Sequence, residues 1–357
     1  MLDDSLFDDP DRLTEADSRG LLRSAALAGA QVRAAAENVR DAGFDDLADG
    51  RPRSLVLVSR PGLGPGVCEV LAALAGPSCP VPVIVAETVP VWVGPLDVVF
   101  AHTPDPGDPV LADGVATATR RGASVVLAVP EDGPVAASGA GRAKVVAPRI
   151  PVPDELTFAH VFTVGLSVLV ALGLTRCDTD QLADELDREA ERAHPGQEPL
   201  MNPAKALALR LADHEPLLWG VDRLATAVAG HGAYALGVHA GLACDVTNHA
   251  QATTRHALYR SVRESGSDLF ADPDLDQGTT PRVFLIGTRH DARAENEERA
   301  ATASLPSADL IVPGESAHAD AVLRVALLAL RFDLAAVYLG LAAGTLGGPG
   351  RQALAVR

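Results

Sequence analysis

Residues 55–66 of the chain read LVLVSRPGLGPG, and a helix-compatible stretch follows over residues 67–74. An apolar strand, a glycine-rich loop and a helix in this order place bare backbone N–H groups at a helix N-terminus, where they can face an anion. Gly62, Gly64 and Gly66 are the candidate phosphate-binding residues, because glycine permits positive φ and close approach of a ligand. The loop lacks the lysine and the spacing of the common nucleotide-binding loops. A phosphate cradle and a plain strand-to-helix turn therefore both remain open.

Composition limits the classes of partner. A chain of 357 residues, 47% of them hydrophobic, has material for two buried cores, so two domains are predicted. The net charge of −17 argues against nucleic acid and anionic membrane surfaces as partners. The four cysteines form no C-x-x-C pair and the N-terminus lacks a signal-peptide shape, which favours reduced thiols in a cytoplasmic protein. The apolar stretch 161–174 is too short to span a bilayer. The histidine spacing indicates no metal site, and no cofactor is predicted.

The first half of the sequence alternates between strands and helices. A long alanine-rich helix is predicted over residues 16–39, and further helices over residues 67–75 and 110–121. Uncharged, valine- and leucine-rich strands between helices are typical of a parallel sheet that is covered on both faces. The strands are predicted at residues 55–59, 81–86, 97–102, 124–129 and 144–147.

The second half repeats this pattern. Asn202 and Pro203 predict the start of a helix, and Lys205 in its first turn is interpreted as a solvated residue rather than an acid. The sequence therefore predicts an α/β protein with two three-layer αβα sandwich domains, at residues 1–155 and 201–357, joined by a helical region at residues 156–200. Strands are predicted at residues 217–220, 240–246, 282–287 and 309–312, apolar helices at 319–330 and 333–343, and a loop at 266–281.

Several short motifs, taken in order, resemble the bacterial and archaeal bifunctional phosphoglucose/phosphomannose isomerase family, which is built from two SIS (sugar isomerase) domains. The resemblance covers most of the chain, although each motif alone is weak. It implies SIS-type sandwiches with a binding cleft between the domains at the carboxyl ends of the strands. The motifs lie at residues 62–66 (GLGPG), 101–104 (AHTP), 121–123 (RGA), 148–149 (PR), 202–205 (NPAK) and 336–341 (AVYLGL).

The resemblance also assigns roles to single residues. At several of these positions the sequence differs from the family's pattern. Arg149 matches an active-site arginine, with a helix-capping arginine as the alternative. His249 matches a ring-opening histidine only in its Asn-His context. The family takes its base from a glutamate, whereas residues 227–263 contain no glutamate and only one carboxylate, Asp245. Thr103 keeps a hydroxyl in the phosphate loop, but the aspartates nearby at 105 and 108 would repel a phosphate.

The function implied by the resemblance is a sugar-phosphate aldose–ketose isomerase that interconverts glucose or mannose 6-phosphate with fructose 6-phosphate. Such chemistry needs a base and donors for the developing enediolate. Because the base is missing, the alternative is a non-catalytic sugar-phosphate sensor or partner protein on the same fold. A homodimer is predicted, because relatives of this fold are usually dimers and the two C-terminal helices are apolar nearly all round. Its interface is expected to use those helices; the alternative is that the first domain or the helix at residues 16–39 of the same chain covers them.

Overall fold

The computed structural model describes residues 2–48, 51–265, 280–314 and 320–346. Within them the chain forms nine β-strands and fourteen α-helices. The strands are β1 Ser54–Ser59, β2 Val83–Ala86, β3 Asp97–His102, β4 Ser124–Ala128, β5 Lys144–Val145, β6 His214–Gly220, β7 Asp245–Asn248, β8 Thr280–Ile286 and β9 Asp309–Ile311. The helices are α1 Pro10–Ala16, α2 Leu21–Ala26, α3 Ala28–Ala42, α4 Gly64–Ala75, α5 Pro109–Arg120, α6 Pro134–Ser138, α7 Phe158–Ala171, α8 Thr179–Arg192, α9 Pro203–Leu211, α10 Arg223–Ala235, α11 His249–Ala252, α12 His256–Ser265, α13 Ala292–Ser304 and α14 Ala321–Ala342.

The chain divides into two compact units. The five-stranded unit is Leu27–Asp187, and the four-stranded unit combines Met1–Ala26 with Arg188–Arg357. This grouping differs from the predicted domain boundaries at residues 155 and 200, which stay a prediction. The first residues group with the second sheet because α2 packs on α14, and α7 groups with the first sheet because it packs on α4.

The five-stranded unit is a parallel αβα sandwich with strand order β2-β1-β3-β4-β5. Val56, Val99 and Leu111 belong to one core cluster, which places α5 on one face of the sheet. On the other face, Gly165 of α7 lies against Leu71 of α4 and Phe100 of β3, so closely that a Cβ at position 165 would clash with the Leu71 side chain. The valine-rich strands are therefore buried on both faces, as the sequence predicted.

The four-stranded unit is a second parallel αβα sandwich, with strand order β7-β6-β8-β9. Trp219 and Leu285 share a core cluster with Val262 of α12 and Ala301 of α13, which places these helices on one face. The helices α10 and α14 pack against each other where Gly232 lies under the ring of Phe332. The predicted fold class, two αβα sandwiches with parallel sheets, is therefore confirmed.

Several predicted elements have different bounds. The long N-terminal helix is interrupted at residues 17–20, where Gly20 has φ of +63°, and again between α2 and α3. The strand predicted at 240–246 begins only at Asp245, because a turn of π-helix, Leu236–Ala240, precedes it. The polar helices α12 and α13 were not predicted, since they lack a long apolar stripe. Residues 266–279 of the predicted loop lie outside the described residues.

The two predicted C-terminal helices form one helix, α14. It is long and apolar enough to cross a membrane, but nearly all of it is buried within the four-stranded unit. It packs against α2, α9 and α10 of its own chain. The expectation that these helices supply a homodimer interface is therefore wrong, because the chain itself covers their apolar surface.

Candidate functional site

The glycine-rich loop joins the carboxyl end of β1 to the N-terminus of α4, as predicted. Gly62 has φ of +119°, which an L side chain rarely adopts, and Gly64 is the first residue of α4. Among the described residues, no side chain caps this helix by a hydrogen bond. Since Pro65 lacks an N–H, the glycines at 64 and 66 supply the amide donors of the first turn. This N-terminus can accept an anion through backbone donors alone.

A buried histidine lies directly beside this helix start. His102 ends β3 and is 6% exposed, and a Cβ added to Gly64 would lie 3.4 Å from its Cδ2 atom. Its Nδ1 donates to the carbonyl of Ala128 at 2.8 Å. Burial lowers the pKa of His102 to about 4. A neutral ring with Nδ1 protonated leaves Nε2 as a hydrogen-bond acceptor.

A second buried histidine lies close to the first. His160 of α7 is 4% exposed, and its Nε2 atom is buried with no hydrogen-bond partner among the described residues. Burial, together with the proximity of His102, lowers the pKa of His160 to about 4. Sequence reasoning missed this pair, because His160 stands alone in an apolar helix and nothing local links it to β3.

Thr103 follows β3 at the same edge of the sheet. It is 1% exposed, and its Oγ1 accepts a hydrogen bond from the N–H of Asp105 at 3.2 Å. The hydroxyl therefore stabilises the local turn.

A carboxylate occupies the next helix N-terminus. Asp108 caps α5 by accepting hydrogen bonds from the N–H groups of Val110 and Leu111. Its other oxygen accepts from Arg60 Nε at 2.6 Å, so it neutralises the cation that begins the glycine loop. Partial burial alone would raise the pKa of Asp108, but the hydrogen bonds from Arg60 and the backbone lower it below its ordinary value. An external anion at α5 would have to compete with this built-in one.

The predicted arginine lies in surface ion pairs. Arg149 contacts Glu37 at 3.2 Å and Asp41 at 3.1 Å, and its side chain is 48% exposed. Both carboxylates belong to α3, so the structure ties this guanidinium to the outer helical layer of the five-stranded unit.

The predicted histidine lies in the four-stranded unit. His249 begins α11, and its Nε2 is 3.5 Å from Ser304 Oγ, the limit for a hydrogen bond. That hydroxyl already donates to the Ala301 carbonyl and accepts from Tyr259. Burial lowers the pKa of His249. The ring packs in a tilted arrangement on Tyr259, at 6.2 Å between centroids.

The carboxylate at position 245 is fully engaged. Arg255 Nη1 donates to both oxygens of Asp245, at 2.8 and 2.7 Å, and Trp219 Nε1 donates to Oδ2 at 3.1 Å. These bonds join β7 to β6 and to the start of α12. They give Asp245 a structural role.

The structure therefore brings together part of the predicted site. Gly62, Gly64, Gly66 and Thr103 meet at the carboxyl edge of one sheet, where open α/β sheets bind ligands. Arg149 belongs to the same unit but is held by α3, and His249 belongs to the other unit. A groove of about 870 Å³ between α3 and α7 is lined by none of these residues. In the described part of the chain, no cluster of metal-ligating side chains is present.

Solved structures share this fold over nearly the whole chain. A hypothetical protein from Thermus thermophilus matches with a TM-score of 0.65 at 15% identity, covering 94% of this chain and 89% of that one. The C-terminal domain of glucosamine-fructose-6-phosphate aminotransferase from Francisella tularensis matches at 0.64 and 10% identity, with coverage of 90% and 95%. The tagatose-6-phosphate ketose/aldose isomerase from Escherichia coli matches at 0.59 and 13% identity, with coverage of 93% and 94%.

These likenesses define the class of fold. The chain has the SIS-type fold, with two parallel αβα sandwiches. At such low identities the shared fold leaves the activity open. No protein-family model and no curated protein matches this sequence.

Proposed function

We propose that this chain is a non-catalytic sugar-phosphate-binding protein of the SIS fold, whose ligand phosphate sits on the backbone of residues 62–67. The observation that carries the proposal is the uncapped N-terminus of α4 beside His102, at the carboxyl edge of the sheet. Two fold neighbours are named for sugar phosphates, which favours that class of ligand. Few side-chain hydroxyls are available, so the affinity should be modest.

The alternative is an active isomerase of the phosphoglucose/phosphomannose type, which the motif resemblance favours. The side chains that such chemistry would recruit are engaged elsewhere. Asp245 has both oxygens bonded, and Arg149 is paired with two carboxylates. Neither is placed as a free base or as a free electrophile, so the binding function has the better support.

Isomerase activity is the first quantity to measure. We expect the wild-type protein to interconvert fructose 6-phosphate with glucose or mannose 6-phosphate at far below the ordinary enzyme range of about 1–10³ per second. The reason is the missing base, whose loss costs on the order of 10²–10⁴ in rate. Coupled assays of the wild type and of Asp245→Asn measure this. A wild-type rate within the ordinary range would overturn the proposal, whether or not Asp245→Asn retains it.

The anion site can be tested by gain of affinity. Asp108→Ser keeps a capping oxygen on α5 but removes the negative charge that neutralises Arg60. We expect the Kd for fructose 6-phosphate to fall about tenfold. A tenfold change in Kd corresponds to only about 1.4 kcal/mol of binding free energy. Calorimetry of both proteins, with inorganic phosphate as a second probe, measures the change.

The chain offers a matched control for this variant. Asp291 also caps a helix, α13, and also pairs with a nearby arginine, Arg289, at 2.8 Å. Asp291→Ser should leave the affinity at its wild-type value. Equal gains in both variants would mean a general effect of net charge, and no binding by any of the proteins would refute the phosphate site.

A cytoplasmic homodimer is also proposed: the scattered cysteines favour the cytoplasm, and the resemblance favours the dimer. The buried α14 does not supply its interface, so another surface of the chain would have to form it.

A further inference from the structure

The connection between β2 and β3, residues 87–96, forms no helix. Parallel neighbours in a sheet are usually joined through a helix. Here two valines pack the connection onto the five-stranded unit. Val93 is 2% exposed and shares a core cluster with Val56, and a Cβ added to Gly114 of α5 would lie only 2.9 Å from Val89 Cγ2. The connection is therefore fastened to the sheet and to α5.

Three large apolar side chains of the same connection face solvent. Val91 is 83% exposed, Leu96 67% and Trp92 44%. Single exposed apolar residues are common, but these three fall within six residues of sequence. Arg53 contacts two of them, since its N–H donates to the Leu96 carbonyl at 2.7 Å and its guanidinium carbon lies 5.6 Å from the centre of the Trp92 ring. Such an exposed apolar patch with a polar rim is typical of an interaction site.

Hydrogen bonds hold the patch in one conformation. Arg53 Nη2 donates to the Trp92 carbonyl at 3.1 Å, and Arg121 Nη1 donates to the Val91 carbonyl. Asp97 Oδ2 accepts from the N–H of Gly94 at 2.9 Å. A surface that is already ordered loses less conformational entropy when a partner binds. The exposed apolar side chains are therefore presented on a prepared surface.

The rim of the patch is basic. Four arginines, at positions 51, 53, 120 and 121, are exposed beside it. In the described part of the chain, Asp97 is the only carboxylate that pairs with any of them, and it pairs with Arg53. Positive charge is therefore in excess here, on a chain whose net charge is −17. The amino-edge surface is named for its place before β1, β3 and β4, and consists of Val91, Trp92, Leu96, Arg51, Arg53, Arg120 and Arg121.

These side chains indicate the chemistry of a partner. Tryptophan and arginine are the residues most enriched where binding energy concentrates in protein interfaces. The guanidinium groups call for carboxylates, whereas Val91 and Leu96 call for apolar side chains. A nucleic acid fits less well, because bases stack on aromatic faces and Arg53 already lies over the Trp92 ring. An acidic peptide segment with apolar side chains supplies both kinds of contact.

We propose that the amino-edge surface docks an acidic segment of a partner protein. Apolar side chains of that segment pack on Trp92 and Leu96, and its carboxylates pair with Arg121 and the neighbouring arginines. The surface lies at the amino ends of the strands, whereas the glycine loop lies at their carboxyl ends. Docking therefore stands or falls separately from phosphate binding at α4.

Selection of short random peptides displayed on phage, against the full chain, tests the chemistry of the partner. We expect the enriched peptides to combine aspartate or glutamate with leucine, phenylalanine or tryptophan. Non-specific attraction would give the opposite result, because a chain with a net charge of −17 repels acidic peptides. Failure to enrich any peptide, or enrichment of peptides without acidic residues, would overturn the proposal.

A pair of leucine variants locates the binding surface. Leu96→Asp places a negative charge in the patch and leaves the backbone hydrogen bonds of the connection in place. Leu200→Asp is the matched control, because Leu200 is 91% exposed and belongs to the other unit. We expect Leu96→Asp to weaken binding of the best enriched peptide about tenfold, measured by fluorescence anisotropy, and Leu200→Asp to bind as the wild type does. Equal affinities of the two variants would contradict the proposal.

A pair of arginine variants tests the charge. Arg121→Glu should also weaken binding about tenfold. Its control is Arg299→Glu, since Arg299 is exposed on α13 and likewise donates to a backbone carbonyl, that of Glu295 at 3.1 Å. Equal losses in both variants would reduce the effect to net charge and overturn the proposal.

Two other occupants of the amino-edge surface give different results. Tighter binding of a single-stranded oligonucleotide than of the enriched peptides would assign the surface to nucleic acid. A lower mass of Leu96→Asp than of the wild type and Leu200→Asp, measured by sedimentation, would assign it to a second copy of the chain. Either outcome overturns the proposal.

Discussion

Acidification from pH 8 to pH 5 is expected to destabilise the five-stranded unit through two buried histidines. Burial lowers the pKa of His102 and of His160 from 6.5 to about 4. The unfolded chain therefore binds more protons than the folded one between these values. The stability that the neutral rings contribute is complete above pH 6.5 and is lost as the pH falls toward 4. At pH 5 the loss is about 2 kcal/mol for each histidine.

The measurement is a series of urea titrations between pH 8 and pH 5, followed by circular dichroism. His102→Asn keeps an amide nitrogen near the position of Nδ1, which donates to Ala128, and His160→Asn is the same change at the second buried ring. The double variant should lose most of the pH dependence. The exposed His290, replaced in the same way, controls for the loss of a histidine as such. Equal slopes in the wild type and the double variant would contradict the prediction.

This pair of histidines marks a limit of sequence reasoning. The order of strand, glycine loop and helix at residues 54–75 was predicted because every signal is local: an apolar run, then glycines, then a helical period. The neighbourhood of His102 and His160 depends instead on how α7 crosses the sheet. No pattern within either segment specifies that crossing.

The helix α14 illustrates the same limit. The sequence predicted two helices, at residues 319–330 and 333–343, with the charged residues Arg331 and Asp333 at the junction. In the structure Arg331 pairs with Glu189 at 2.7 Å and Asp333 with His231 at 2.8 Å, across 142 and 102 residues of sequence. Distant partners satisfy these charges, so the helix continues through them. The sequence also left open whether Asp245 and Arg149 are paired. A charged residue in a sequence does not show which distant residues will be its partners.

Lys205 is the clearest correction, and its replacement is expected to have a large effect. The first-turn position suggested a solvated lysine, but the residue is 0% exposed. Its ammonium donates to three carbonyls, those of Phe7 at 2.7 Å, Pro195 at 2.6 Å and Gln197 at 2.9 Å. It also lies 5.7 Å from the centre of the Tyr338 ring. Burial lowers the pKa of Lys205, but three acceptors compensate the buried charge.

Lys205→Met should lower the free energy of unfolding of the four-stranded unit by about 3–5 kcal/mol, because the methionine fills the space but leaves three carbonyls without a donor. The change is measured by urea titration, with tryptophan fluorescence as the signal, in a Trp92→Phe background. Only two tryptophans occur in the chain, so Trp219, buried in the four-stranded sheet, then reports on this unit alone.

Lys144, the other lysine of the chain, provides the control. It lies in the five-stranded unit, where Trp219 does not report, so its unfolding is followed by circular dichroism. Lys144 pairs with Asp46 at 2.8 Å and also donates to the carbonyls of Ala42 and Gly43, but unlike Lys205 its side chain is 18% exposed. Because water can replace its partners in part, Lys144→Met should cost no more than about 1 kcal/mol. A large loss for Lys205→Met alone would mean that this ammonium ties the N-terminal segment, at Phe7, to the start of α9. If both variants unfold at wild-type urea concentrations, Lys205 is the solvated first-turn residue that its sequence position suggested.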